Sequence, residues 1–155
     1  MRWLLRAAGL VIVVLSLAGL WVRAVDHDPA LWHQDPTTTA RTGQPNDFLA
    51  GPTGSTQAPL DMTLSSVPSE PLVAFDRIAM AAPRVAVVAG SVAEGHITYV
   101  QRSALIGFPD YVSVKRVETA TGPSLAAWSR SRFGYSDMGV NAARLTEWLA
   151  AAGFE

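Results

Sequence analysis

The period of the hydrophobic positions changes along the chain. From Ala7 to Val22 no residue is charged and most are apolar. From Val25 to about Thr56, Pro, Gly, Thr and Asp recur too often for a long element. Leu31, Trp32, Phe48 and Leu49 interrupt that polar stretch. A bare linker needs no such side chains, so the stretch is expected to lie along the domain surface and pin itself there. Ala58 to Ser65 alternates weakly and predicts an edge strand opened by Pro59. Leu72, Phe75, Ile78, Ala79 and Ala82 recur at helical spacing. With Ser69 as cap, Pro71 at the first helical position and Pro83 as stop, they predict a helix over 70–82.

Strand patterns follow. Arg84 to Ala89 is Val-rich and nearly all apolar, which predicts a strand that is central or covered on both faces. His96 to Leu105 alternates: Ile97, Tyr99, Gln101 and Ser103 point one way, His96, Thr98, Val100 and Arg102 the other. Tyr111 to Glu118 and Ser124 to Phe133 complete the set, separated by turns at 90–95, 107–110 and 121–123. Short links predict antiparallel hairpins. Asp137 suits an N-cap, and Leu145, Trp148, Leu149 and Ala152 form the apolar stripe of a last helix over 138–152, stopped at Gly153. The expected fold class is α+β: an N-terminal transmembrane helix, then a two-layer domain of about four or five antiparallel strands covered by two helices. The expected divisions are a transmembrane anchor or uncleaved signal at 1–24, an extended juxtamembrane loop at 25–57 and the α+β domain at 58–155.

The transmembrane expectation rests on the uncharged run. Extended over Arg6, which can snorkel, to Trp3, it reaches about 20 residues, the length of a spanning helix. Trp3 and Trp21 sit where interfacial aromatics belong. Arg2, Arg6 and the amino terminus outweigh Arg23, which Asp26 and Asp28 follow. The positive-inside rule then places the N-terminus in the cytoplasm and the C-terminal domain outside, in the periplasm or its equivalent. The rival reading is a cleaved signal peptide, with Val22-Arg23-Ala24 as a tolerable cleavage pattern. The run is longer than a typical signal core, and Trp21 and Arg23 crowd the cut, so the uncleaved anchor is preferred.

Charge and composition narrow the chemistry. Net charge is -1; with Arg2, Arg6 and Arg23 set aside, nine basic residues face all thirteen acids. That balance excludes a domain built around a nucleic-acid backbone. The absence of cysteine excludes disulfides, thiolate metal sites and a cysteine nucleophile. Asp26, His27, Asp28, His33 and Asp35 have metal-binding chemistry. Their spacing matches no standard ligand motif, and a polar juxtamembrane loop is the preferred reading. No cofactor or metal is expected.

The densest chemistry lies in Ser129-Arg130-Ser131-Arg132-Phe133-Gly134-Tyr135-Ser136-Asp137-Met138-Gly139-Val140-Asn141, followed by Arg144-Leu145. Together with Arg102-Ser103 and Gly107-Phe108-Pro109-Asp110, this run resembles the uncharacterised domain-of-unknown-function 1499 family. Pro45-Asn46-Asp47 fits that family's opening motif, although many relatives carry cysteine where this chain has Asp47. The resemblance covers most of residues 25–152. It implies kinship without an established activity, cofactor or substrate. Its bacterial members often look membrane-anchored.

On an extended strand, Trp128, Arg130 and Arg132 share one face and Ser129 and Ser131 the other. Two arginines beside a helix N-terminus suit an anionic group. The candidate ligand-binding residues are Arg130, Arg132, Tyr135, Asp137, Asn141, Arg144 and Asp110. Each also has a structural reading: arginines paired with Asp110 or Asp137, a helix cap, a loop-satisfying amide. The expected function is non-enzymatic binding of an envelope partner or a small anionic or lipid-like ligand by a membrane-tethered domain. The alternative is an envelope hydrolase using a serine or aspartate of the 129–141 signature. Gly134-Tyr135-Ser136-Asp137-Met138-Gly139 does not have nucleophile-elbow spacing. His96, at the end of a strand, is the one histidine of the predicted domain and is read as a surface residue.

Overall fold

A computed structural model describes the backbone of residues 2–41, 43–65 and 67–155, and the side chains of these except Arg2, Leu5 and Ala8. The elements are α1 (Arg2–Ala24), α2 (Pro29–Trp32), β1 (Asp47–Gly51), β2 (Met62–Thr63), α3 (Pro71–Ala81), β3 (Val85–Ser91), β4 (His96–Arg102), β5 (Pro109–Thr119), β6 (Gly122–Ser131) and α4 (Val140–Ala151). One six-stranded sheet has the order β2-β1-β6-β5-β4-β3.

The sheet corrects the expectation of a purely antiparallel array of four or five strands. It is mixed: β1 and β2 run parallel, with Ala50 opposite Met62 and Gly51 opposite Thr63. All other neighbours are antiparallel. Parallel pairing leaves no hairpin for a sequence reading to find, because the return crosses a loop. β1 falls inside the stretch expected to be a loop. Phe48 and Leu49, the apolar pair noted there, belong to this strand, which sits between β2 and β6. The Val-rich strand β3, expected to be central or covered on both faces, instead forms the sheet edge, with Val87 exposed.

The transmembrane helix is also corrected. α1 forms, but no helix among the described residues is long and apolar enough to cross a membrane. α1 has 23 residues, but its uncharged part is short. The uncharged stretch from Ala7 to Val22 rises roughly 24 Å at 1.5 Å per residue, short of a hydrocarbon core about 30 Å thick. Arg2 and the terminal amine, invoked for orientation, lie outside the described side chains. Arg23 has another duty: its Nε donates to Ile106 O at 3.1 Å and its Nη2 to Leu105 O at 2.9 Å. Arg102 Nη1 donates to Val22 O at 3.1 Å. The last turn of α1 is therefore clasped to the β4–β5 loop.

Alternation along β4, β5 and β6 sends side chains to two faces. On one, Ile97, Tyr99, Val112, Val114, Leu125 and Ala127 meet Phe75 from α3 and Leu145, Trp148 and Leu149 from α4. Phe75 lies edge-on to Trp148 with ring centroids 6.0 Å apart. This is the hydrophobic core. On the other face, residues 26–41 form a strap across the sheet. Trp32 stacks on Tyr111 at 3.9 Å and His33 on His96 at 3.8 Å. Asp35 pairs with Lys115. Gly90 makes room for the strap: with φ at 81°, a Cβ there would meet His96 O at 2.0 Å and His33 Cε1 at 2.9 Å.

Candidate functional site

β6 carries Arg130 near its end, with Trp128 two residues earlier on the strap face. The Arg130 guanidinium lies over the Trp128 ring at 4.0 Å, with Trp32 and Tyr111 at 5.9 and 6.0 Å. Its Nη1 donates to Ser113 Oγ at 3.0 Å, and its Nη2 donates to Trp32 O. The residue is only 5% exposed, yet it makes no ion pair among the described residues. The nearby carboxylate of Asp47 is held by Arg41 and by the Trp128 indole N–H. Burial pulls Arg130 down to about 9, with Tyr111 and Asp47 acting in the other direction; it stays charged at neutral pH. A buried cation without a counter-ion is costly. Here aromatic faces and carbonyl or hydroxyl oxygens offset part of that cost.

Arg132 follows just past the strand. It donates through Nη1 to Asp26 O and, at 3.2 Å, to Tyr111 Oη. Its guanidinium carbon is 5.4 Å from the Trp32 ring centre and 5.5 Å from that of Phe133. Arg130 and Arg132 open onto a cavity of about 410 Å³ between strap and β6, which Trp32, Gln34, Gln44 and Asn46 also line. The Trp32 indole nitrogen is buried without a hydrogen-bond partner among the described residues.

The other candidate residues lie elsewhere. Arg144 enters from the helix face. Its Nη2 pairs with Asp110 at 2.7 Å, its Nη1 donates to Asn141 Oδ1 at 2.7 Å, and its Nε donates to Gln101 Oε1. Asn141 is fully buried and joins three segments. Its Oδ1 accepts from Ser129 Oγ at 2.6 Å, and its Nδ2 donates to Asn46 O at 3.0 Å and Ser131 Oγ at 2.9 Å. Asp137 accepts from the backbone N–H of Gly139 and of Asn141 at 3.0 and 2.7 Å, which satisfies the start of α4. Gly139, with φ at 82°, is the N-cap position that the sequence reading gave to Asp137. Tyr135 is 70% exposed at the turn. Alternation has thus split one dense sequence motif between the two faces of the sheet.

The three histidines lie under or within the strap. His27 Nδ1 is 2.8 Å from Tyr111 Oη, and its Nε2 is 2.8 Å from Arg102 Nη2. His33 Nδ1 is 2.9 Å from Thr98 Oγ1, which is 2.9 Å from Ser113 Oγ. His96 is half-buried rather than on the surface, and its Nε2 is buried without a partner among the described residues. Among the described residues no group of three His, Cys, Asp or Glu could hold a metal.

Sequence reasoning missed Gln34 and Gln44 in the cavity wall, and Tyr111 and Ser113, which pack against Arg130. A signal existed. Tyr111, Ser113 and Lys115 alternate with apolar residues on a long strand, which marks a second face covered by polar matter.

A family model described as "Protein of unknown function (DUF1499)" matches residues 37–151. The chain belongs to this family. The matched region holds all six strands, both core helices and the two cavity arginines. The strap's first part, with His27, Trp32 and His33, precedes it. No curated protein and no solved structure matches the chain.

Proposed function

We propose that this protein binds a small anionic ligand, bearing a carboxylate or phosphate group, in the cavity between the strap and β6. One observation carries the reading: Arg130 is a buried cation with no carboxylate paired to it among the described residues, and it borders an open cavity that a second arginine also lines. Arg130 would supply fixed charge, held by Trp128 and Ser113. Arg132, more exposed, would close on the ligand. Trp32 and Trp128 offer flat apolar surface, and Gln34 adds amide polarity at the wall. The seven candidate residues reduce to these two arginines for ligand contact. Asp110, Asp137, Asn141 and Arg144 build the corner that sets the direction of β6.

The reading is one of binding without chemistry. Ser129 is buried and donates to Asn141, Ser131 accepts from the same amide, and Ser136 accepts from the Met138 N–H at 3.2 Å. None of these serines hydrogen-bonds to a histidine among the described residues, and a serine nucleophile needs an adjacent base.

Calorimetric titration of the full chain with inorganic phosphate, acetate, citrate and glycerol phosphate tests the proposal. At least one should bind, and Arg132→Ala should weaken it about tenfold, equivalent to about 1.4 kcal/mol. Equal affinity in wild type and Arg132→Ala, or no binding across the panel, would overturn the reading.

A further inference from the structure

The strap is held to the sheet by neutral imidazoles whose protonated forms the site does not accommodate. His27 shows this through hydrogen-bond direction. A guanidinium only donates, so Arg102 Nη2 at 2.8 Å requires a lone pair on His27 Nε2. The ring proton then sits on Nδ1 and is donated to Tyr111 Oη at 2.8 Å. A second proton would put an N–H against the Arg102 N–H. Charge opposes it too: Arg102 from β4 and Arg132 beyond β6 face the ring, and only Asp26, its own neighbour, favours the cation.

His96 shows it through burial. The Gln34 backbone favours the charged ring, but the His96 Nε2 is buried with no partner among the described residues. A lone pair tolerates that place, whereas an N–H there would be a buried donor without an acceptor. The ring stacks on His33 at 3.8 Å. Around it stand His33 and Asp35 from the strap and Lys115 from β5; of these, Asp35 alone favours the charged form.

We propose that residues 26–34 form an acid-released strap, undocked when His27 and His96 take up protons. Release uncovers Tyr111, Thr98, Ser113 and Arg130. The hinge lies at Asp35 and Pro36. Beyond it the chain stays tethered, because Asp35 is paired with Lys115 and Arg41 with Asp47 and Asp61. Burial works against the Asp35 charge, but hydrogen bonds from Lys115 and Thr37 outweigh it and keep the carboxylate ionised through the range where histidine titrates. The inference stands apart from ligand binding, since its test contains no ligand.

α2 supplies the reporter. A four-residue helix has no stability of its own in water, so the amides of Leu31, Trp32 and His33, bonded to Asp28 O and Pro29 O, are protected only while the strap is docked. Amide hydrogen exchange of the full chain, corrected for the intrinsic pH dependence, should show their protection falling at least tenfold from pH 7.5 to 5.5. Protection in β5 and α4 should hold over the same range. In the double variant His27→Gln, His96→Gln, strap protection should change less than twofold. An unchanged strap in wild type, or the same fall in the variant, would overturn the proposal. If the double variant is undocked already at pH 7.5, histidine ring titration in the wild type by NMR decides. His27 and His96 titrating together with the loss of α2 protection supports the strap, and either ring titrating fully while α2 stays protected refutes it.

Discussion

The two faces of the sheet are made of alternate residues of the same three strands, and they solve burial differently. On the helix face, Ile97, Tyr99, Val112, Val114 and Leu125 meet Phe75, Leu145 and Trp148. That contact is non-directional, and its free energy scales with apolar area. On the strap face, buried Thr98, Ser113, Tyr111 and Arg130 need partners one by one. The strap supplies them: Trp32 O for Arg130, the His33 ring for Thr98, the His27 ring for Tyr111. One face is sealed by area and the other latched by directed bonds. The first should be indifferent to pH and the second should not. The proposed ligand cavity accordingly lies on the latched side, where polar groups are already buried and a separate segment covers them.

Four measurements would break or sharpen this contrast. The largest effect belongs to the sealed face. Phe75→Ala should cost about 3–5 kcal/mol in urea unfolding, by the same amount at pH 7.5 and 5.5. A loss that depends strongly on pH would mean the faces are not separable. Next comes the corner that joins them. Asn141→Ala strips partners from Ser129, Arg144 and the Asn46 carbonyl and should cost about 1–3 kcal/mol in the same assay.

The third measurement is the pH profile of stability. Burial, then Arg102 and Arg132, lowers the His27 pKa below 6.5. Burial, then His33, does the same for His96. Below 6.5 the unfolded chain therefore binds more protons than the folded one. Stability is full above that value and falls as pH drops from 6.5 toward the lowered folded pKa values. His27→Gln with His96→Gln should flatten this slope in unfolding curves, and a slope left intact would place the titration on other groups. The smallest effect on stability is expected at the cavity rim. Arg132→Ala should shift the unfolding free energy by no more than about 0.5 kcal/mol while weakening anion binding.

Much of the α+β core was legible because its signals are local. The alternation read from His96 to Leu105 ran past the end of β4 at Arg102 but assigned its two faces correctly: Tyr99 donates to Asp76 on α3, and Arg102 reaches His27 in the strap. α3 forms where its helical spacing predicted, beginning at Pro71 with Glu70 rather than Ser69 as the N-cap. β1 was hidden because a five-residue strand between prolines carries too little period to detect, whereas β2 falls within the edge strand expected over 58–65 and takes the sheet edge. The candidate site was half legible. Arg130 and Arg132 share the expected face, but no spacing tells that Asp110 chooses Arg144 from a distant helix, or that Asp47 is taken by Arg41. The membrane span failed on length, since an apolar run shows hydropathy readily while its reach depends on where charge begins.

By itself the sequence determined the family, the helix and strand periods of the core, and the placing of Arg130 and Arg132 on one side of β6. Those follow from covalent spacing, which fixes 3.6 or 2 residues per repeat before anything folds. Only the tertiary structure decided that β1 and β2 pair in parallel, that Arg144 pairs with Asp110 and Asn141 with Ser129 and Asn46, and that residues 26–41 cover the arginine face. Those outcomes depend on which distant groups meet, and a buried charge or hydroxyl takes whichever partner the fold brings within hydrogen-bond reach.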